Sequence, residues 1–255
     1  MSGTVKGVKM ARKPRVNDPG FYHIVNRGVN GAEIFNEKED YFKFLELMLK
    51  TKYDYKVIFH AFTILPNHYH ILLETTLSNL SEAMRFLNSA YAAWYNYKTG
   101  RIGHLWKGRF ESYMMFDNDH AWKVVKYIER NAYVLGLVDD ITKYEYQSLA
   151  LRLKKTKFSE IIEDSMILTK PIEEYIEWLN KPLEKFEIEE IYKEPKIIKV
   201  DGEIKVIRKK ISDFFEEFED KKEAIKAAKE NGYKYSEIAR YLGVSNSYIT
   251  KLLKS

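Results

Sequence analysis

The sequence contains no cysteine. Disulfides and thiolate metal sites are therefore excluded, and a metal would have to be held by imidazole, carboxylate or amide groups. No apolar run reaches the length needed to span a bilayer. The basic start of the chain lacks the apolar stretch of a secretion signal. There is no glycine-rich loop of the kind that cradles a nucleotide phosphate, and there are no repeats or low-complexity tracts. These absences read as a cytoplasmic protein with no membrane partner and no nucleotide cofactor.

What is present is a folding sequence with uneven charge. Of 255 residues, 45% are hydrophobic and 31% charged, more apolar content than a disordered chain carries. The length suits one large domain or two modest ones. The formal net charge of +5 is the sum of unlike parts. Residues 1–155 hold 23 basic and 16 acidic side chains, residues 156–220 hold 11 and 18, and residues 221–255 hold 8 and 3. Two basic blocks flank an acidic stretch. Basic blocks suit contact with a polyanion, although ordinary solvated surface gives the same imbalance.

Residues 1–16 form a basic arm that includes Arg12 and Arg15 and no acid. Residues 21–27 alternate as a strand ended by Gly28. Asn36 and Glu39 form a capping box before a helix with an apolar face of Tyr41, Phe44, Leu45 and Met48. Residues 55–65 are β-branched and aromatic, a strand stopped by Pro66, and residues 68–74 alternate as the next strand. Helical spacing runs over residues 80–98, with Gly100 as its stop. A loop and a strand occupy 101–116. Asp117 then caps a helix to about residue 133, with Gly136 beyond its end. The order β-α-β-β-α-β-α predicts an α+β domain over residues 17–155, a ferredoxin-like antiparallel sheet with helices on one face.

Beyond residue 155, Pro171, Pro182 and Pro195 punctuate Glu-rich amphipathic pieces. These read as an acidic, mostly helical connector over residues 156–218. Residues 219–255 read as a separate module, with helices over 221–231 and 236–242, a turn at Gly243 and a last helix capped by Ser245. Ala239, Gly243 and Ile249 have the spacing of a helix-turn-helix; a generic small helical bundle is the other reading. On the last helix Asn246, Ser247, Tyr248 and Lys251 face outward, where they suit base edges or phosphates of duplex DNA.

His68 and His70 are two apart in a strand and share one face, while Tyr69, Ile71 and Leu73 take the other. Two imidazoles on one face can hold a divalent cation, but two surface histidines have the same spacing. Tyr127 and Asn131 are one helical turn apart and also share a face. Lys123 lies a turn earlier and Arg130 beside them, while Ala121, Val125, Ile128 and Ala132 make the buried stripe. A tyrosine off that stripe and near cations suits a nucleophile; ordinary packing is the alternative. His23, His60 and His120 are assigned no role, and His104 none at a metal.

The run Leu65-Pro66-Asn67-His68-Tyr69-His70-Ile71-Leu72-Leu73-Glu74 resembles the HUH motif of single-tyrosine transposases. It looks most like the REP-associated tyrosine transposases. Gly20-Phe21-Tyr22-His23-Ile24-Val25-Asn26-Arg27-Gly28 resembles that family's first strand, and Ile34-Phe35 with the helix after it matches next. Gly103-His104-Leu105-Trp106-Lys107-Gly108-Arg109-Phe110 resembles its central loop. Tyr127-Ile128-Glu129-Arg130-Asn131 and Gly136-Leu137-Val138 resemble its tyrosine helix and the exit from it. These matches span about residues 10–150. The chain departs at Ala132, where the family usually has proline, and at Tyr133, Val134 and Leu135.

The resemblance implies an HUH endonuclease domain. In it His68, His70 and the Asn131 side-chain oxygen hold Mg²⁺ or Mn²⁺, and Tyr127 attacks a phosphodiester of single-stranded DNA beside an imperfect hairpin. A 5′-phosphotyrosine link and a free 3′-OH result. Arg12, Arg15, Asn26, Arg27, Lys107, Arg109, Lys123 and Arg130 are the candidate contacts to that DNA. The chain is expected to act as a monomer or homodimer. Two other readings stand beside this transposase. One is a non-catalytic, domesticated DNA-binding regulator in which the tail does the work. The other is a replication or conjugative nickase with the same His pair. Relaxases tend to place their tyrosine before the His pair, whereas Tyr127 follows it, and Tyr127 has no tyrosine at i+4.

Overall fold

The computed structural model describes residues 16–192, 196–200, 203–207, 209–231 and 233–254. Arg12 and Arg15 lie outside the described residues. The first part of the chain runs β1 (Gly20–Arg27), α1 (Lys38–Tyr55), β2 (Val57–Leu65), β3 (His68–Thr75), α2 (Leu80–Thr99), β4 (Glu111–Met114) and α3 (Asn118–Val134). The four strands form one antiparallel sheet in the order β2-β3-β1-β4. The strand between β1 and β2 in space is β3, so the two strands that carry most of the site residues lie side by side.

Local chemistry sets the element ends. Asp40 Oδ2 accepts the backbone N–H groups of Asn36 and Glu37 at 2.8 and 2.9 Å, which opens α1. The capping box is thus Glu37–Asp40, one residue on from the expected Asn36–Glu39 pair. Gly100 stops α2 with φ of +65°, a conformation that suits glycine. Asp117 caps α3 by accepting the His120 N–H at 2.8 Å.

Helices cover both faces of this sheet, which corrects the expectation of one. β2 is buried at every position except Ile58, so it has no face left for water. α2 packs on the face that carries Asn26 and Tyr69, both tied to Asn88. α3 packs on the opposite face, where the Thr63 hydroxyl donates to the Ile128 carbonyl at 2.6 Å. A β-bulge in β2 falls between Phe59 and Ala61 and leaves His60 unpaired in the ladder. His60 instead bonds Glu74 at 2.9 Å and accepts the Met166 N–H at 3.0 Å.

The stretch read as a connector departs from its expectation in two ways. After α4 (Ser148–Leu153), it runs through α5 (Ile172–Asn180) and α6 (Lys185–Glu190), and much of it is part of the main core. Phe158, Ile161, Ile167, Tyr175, Leu179 and Ile191 are all buried in that apolar cluster. Next comes a two-stranded hairpin, β5 (Lys196–Val200) with β6 (Glu203–Ile207), where helix was expected. Its Ile- and Val-rich pieces are short and favour strand.

The final elements are α7 (Ile211–Glu217), α8 (Lys221–Glu230), α9 (Tyr235–Leu242) and α10 (Asn246–Lys254). They share a second apolar cluster built on Phe214, Ile225, Ala228, Ile238 and Ile249. Phe214 lies within the stretch assigned to the connector, so the cluster starts earlier than residue 219. Gly243 turns the chain between α9 and α10 with φ of +67°. No helix among the described residues is long and apolar enough to cross a membrane.

Candidate active site

Strand alternation along β1 sends His23, Val25 and Arg27 to the α3 face of the sheet and Tyr22, Ile24 and Asn26 to the α2 face. β1 pairs with β3 in a register that sets Val25 opposite His70 and Arg27 opposite His68. The imidazoles of His68 and His70 therefore share the α3 face with His23, the rings of the pair 5.1 Å apart. His70 and Tyr127 meet edge to face at 5.5 Å, and His23 and Tyr127 at 6.0 Å. Tyr127 is half-buried and Asn131, one turn on, is buried. The expected stripe of Ala121, Val125, Ile128 and Ala132 is fully buried and fixes the rotation of α3.

Both histidines of the pair are held through the same ring atom. His68 Nδ1 lies 2.6 Å from the Asn67 side-chain oxygen, and His70 Nδ1 lies 3.0 Å from His23 Nε2. The Nε2 atom of each ring is left as the atom open to a cation. Burial holds all three imidazoles neutral. It lowers His23 to about 3, lowers His68 to about 4 with help from the Arg27 charge, and puts His70 well below the ordinary histidine value. Two neutral imidazoles with free Nε2 atoms are a fitting donor set for a divalent cation. Among the described residues no group of three or more His, Asp and Glu side chains stands together as a metal cage. A third protein ligand would be an amide, and Asn131 shares the Tyr127 face of α3.

The end of α6 lies over this site. The Tyr192 and Tyr127 hydroxyls are 2.9 Å apart, and the Tyr192 ring packs 5.4 Å from His23. Burial, and then the bond to Tyr127, push the Tyr192 phenol above the ordinary tyrosine range. Glu190 anchors the segment: its carboxylate pairs with Lys123 at 2.7 Å, and its carbonyl lies 3.0 Å from His120 Nε2.

The expected DNA contacts divide. Arg27 is exposed beside His68, and a recess of about 190 Å³ at the sheet edge gathers it with Lys107 and Arg109. Asn246, Ser247, Tyr248 and Lys251 are exposed on α10. Three others are engaged within the protein. Asn26 is buried on the α2 face, away from the His pair, and donates to Asn88 at 3.0 Å. Arg130 is buried and donates to the Leu179 carbonyl, so its charge serves the junction with α5. Lys123 is paired with Glu190 at 2.7 Å. In each case a partner distant in sequence claims the side chain.

His23, Asn67 and Tyr192 escape sequence reasoning as site residues. The alternation over residues 21–27 already sets His23 on one face with Arg27, but nothing local indicates that this face adjoins His70. Tyr192 carries no motif, and only the path of the connector brings it to Tyr127.

A solved structure described as a REP-associated tyrosine transposase bound to a REP hairpin overlaps this chain with a TM-score of 0.47 at 18% identity, covering 55% of this chain and 82% of that one. No curated protein matches the chain. The family model of IS200-like transposases matches residues 20–131, from the first residue of β1 to Asn131. The segment that builds the sheet and carries His68, His70 and Tyr127 is therefore the part of the chain that is similar to the IS200-like transposases.

Proposed function

We propose that the chain is a metal-dependent single-stranded DNA endonuclease and strand transferase that nicks beside hairpins through a 5′-phosphotyrosine link. The observation that carries this reading is the meeting of Tyr127 with the His68–His70 pair, ring centroids 5.5 Å apart at His70, on one face of the sheet. A regulator that only binds DNA has no chemical use for a phenol at two free imidazole nitrogens.

Tyr127 is the nucleophile. Its oxygen forms a bond to phosphorus in line with the departing 3′ oxygen, the P–O3′ bond breaks, and the phenolic proton is lost as the 3′ oxygen gains one. Bond energy is conserved in the tyrosyl phosphodiester, so a 3′-OH can later reverse the step and join a new strand. His68, His70 and the Asn131 oxygen would hold Mg²⁺ or Mn²⁺, which would supply charge neutralisation at the scissile phosphate. Arg27, Lys107 and Arg109 track the backbone of the unpaired strand towards Tyr127. The α9–Gly243–α10 segment acts as a helix-turn-helix, with Asn246, Ser247, Tyr248 and Lys251 facing duplex DNA. For DNA to reach Tyr127, the Tyr192 hydroxyl must leave it.

The test is a cleavage assay on labelled single-stranded hairpin oligonucleotides with Mn²⁺. The wild-type chain should form a protein–DNA adduct that survives denaturation. Tyr127→Phe should form none while its DNA affinity stays within about threefold, and His68→Ala should lower the rate by at least about 100-fold. An adduct that persists in Tyr127→Phe would refute the assignment of the nucleophile. Duplex binding that survives removal of residues 219–255 would refute the role of the tail.

A further inference from the structure

His23 is fully buried, and an imidazole is a costly choice for such a place. A phenylalanine or leucine would fill the same space between β3 and α6 with no polar atom to satisfy. The ring stacks on His70 at 5.2 Å with planes 28° apart, and its Nε2 lies 3.0 Å from His70 Nδ1. Its other nitrogen, Nδ1, is buried without a hydrogen-bond partner.

Two neutral imidazoles joined this way have two protons for four nitrogens. In one arrangement His70 Nδ1–H donates to His23 Nε2. The His23 proton then sits on Nδ1 towards the connector, and His70 Nε2 carries a free lone pair. In the other, His23 Nε2–H donates to His70 Nδ1, and the His70 proton sits on Nε2, where it blocks a ligand. A cation at His70 Nε2 requires the first arrangement, because a ligand nitrogen must carry a lone pair. His68 reaches the same state by a simpler route, since the Asn67 oxygen at 2.6 Å can only accept.

We propose that His23 is a positioning residue for His70: by accepting the His70 Nδ1 proton it keeps His70 Nε2 unprotonated and aimed as a ligand, as Asn67 does for His68. This rests on the reading of His70 as a metal ligand, yet the tautomer it fixes exists without metal and can be observed alone. Such outer partners typically change metal affinity by about 10–100-fold when lost.

The experiment uses the full chain labelled with ¹⁵N-histidine. A long-range ¹H–¹⁵N correlation spectrum of the metal-free protein, with His70 assigned from His70→Asn, reports which ring nitrogen is protonated. Wild type should show His70 protonated at Nδ1; protonation at Nε2 overturns the proposal without any variant. Mn²⁺ titration followed by electron paramagnetic resonance then compares wild type with His23→Phe and His23→Gln. His23→Phe keeps the stacked ring but has no acceptor. It should mix the His70 tautomers and weaken Mn²⁺ binding about 10–100-fold. His23→Gln offers an amide oxygen near the Nε2 position and should return to within about threefold of wild type. A folded His23→Phe with wild-type tautomer and affinity refutes the role. If wild type itself binds no Mn²⁺, the metal reading fails, and the tautomer result still decides what His23 does.

Discussion

Glu129 shows how a single buried group contributes to the pH response of the domain. It sits on α3, fully buried, between Tyr127 and Asn131 in the sequence. Its carboxylate accepts from the Ser148 hydroxyl at 2.7 Å, the Tyr175 hydroxyl at 3.1 Å and the Leu149 N–H at 3.2 Å. Burial raises its pKa from 4.5 to about 7, against the pull of those donors and of Arg152. The native state therefore keeps this proton over a range in which the unfolded chain has released it. The stability that follows is fully present below pH 4.5 and is lost as pH rises through 7. The loss amounts to about 3 kcal/mol over that window, because each tenfold difference in proton affinity between the two states is worth about 1.4 kcal/mol. The buried histidines act in the opposite sense and alike in both proteins, so the stability of wild type relative to Glu129→Gln in urea unfolding should fall by this amount between about pH 5 and about pH 7.5. Equal slopes in the two proteins would show that Glu129 titrates alike in both states.

At the scale of elements, the turn after β1 fixes where the strand stops. Gly28 donates to the Asn67 carbonyl at 2.8 Å and so holds β1 against the loop that presents His68. A Cβ on Gly28 would lie 2.2 Å from the Ala32 carbonyl oxygen and 3.0 Å from Ile34 Cγ2. The obstacle is backbone, which cannot swing aside. Gly28→Ala should cost about 2 kcal/mol or more and lower the thermal midpoint by several degrees. An unchanged midpoint would mean that the 29–31 turn is free to move. This scale also divides what the sequence discloses from what it hides. α2 and α3 are readable because Gly100, Asp117 and the stripe on α3 are local signals. The pairing of Tyr127 with Asn131 is readable for the same reason. The α1 cap falls on a residue other than the expected ones because several nearby side chains suit it equally. The β1–β3 register, which brings His23 to His70, joins residues 47 apart, and no short window contains it. β5 and β6 are hidden because short runs of apolar and charged residues fit helix or strand equally well.

The molecule as a whole is built on two main apolar cores. One joins the sheet, α1 to α3 and the chain through Ile191; the other belongs to α7 to α10. Lys210 reaches from the second towards the first, its ammonium 4.0 Å from Asp117 and 5.2 Å from the centre of the Phe116 ring. The smaller core rests heavily on Phe214, whose ring is almost fully buried. Phe214→Ala should cost about 3–5 kcal/mol, comparable with the whole stability of so small a unit. Calorimetry should then show the transition of the tail lost while that of the sheet domain persists. Loss of both transitions would mean that the cores fold as one. The tail is visible in the sequence as a separate piece but its start is not, because Phe214 lies in an acidic run that looks like spacer.

The hydrogen bond between Tyr127 and Tyr192 also has a history in time. The two tyrosines are 65 residues apart in a chain made from its N-terminus. At about 5–20 residues per second, translation needs roughly 3–13 s to pass from one to the other. Each new copy therefore spends several seconds with Tyr127 already synthesised and the tyrosine that covers it not yet made. How long that interval lasts is set by the ribosome, and no equilibrium of the finished protein reports it.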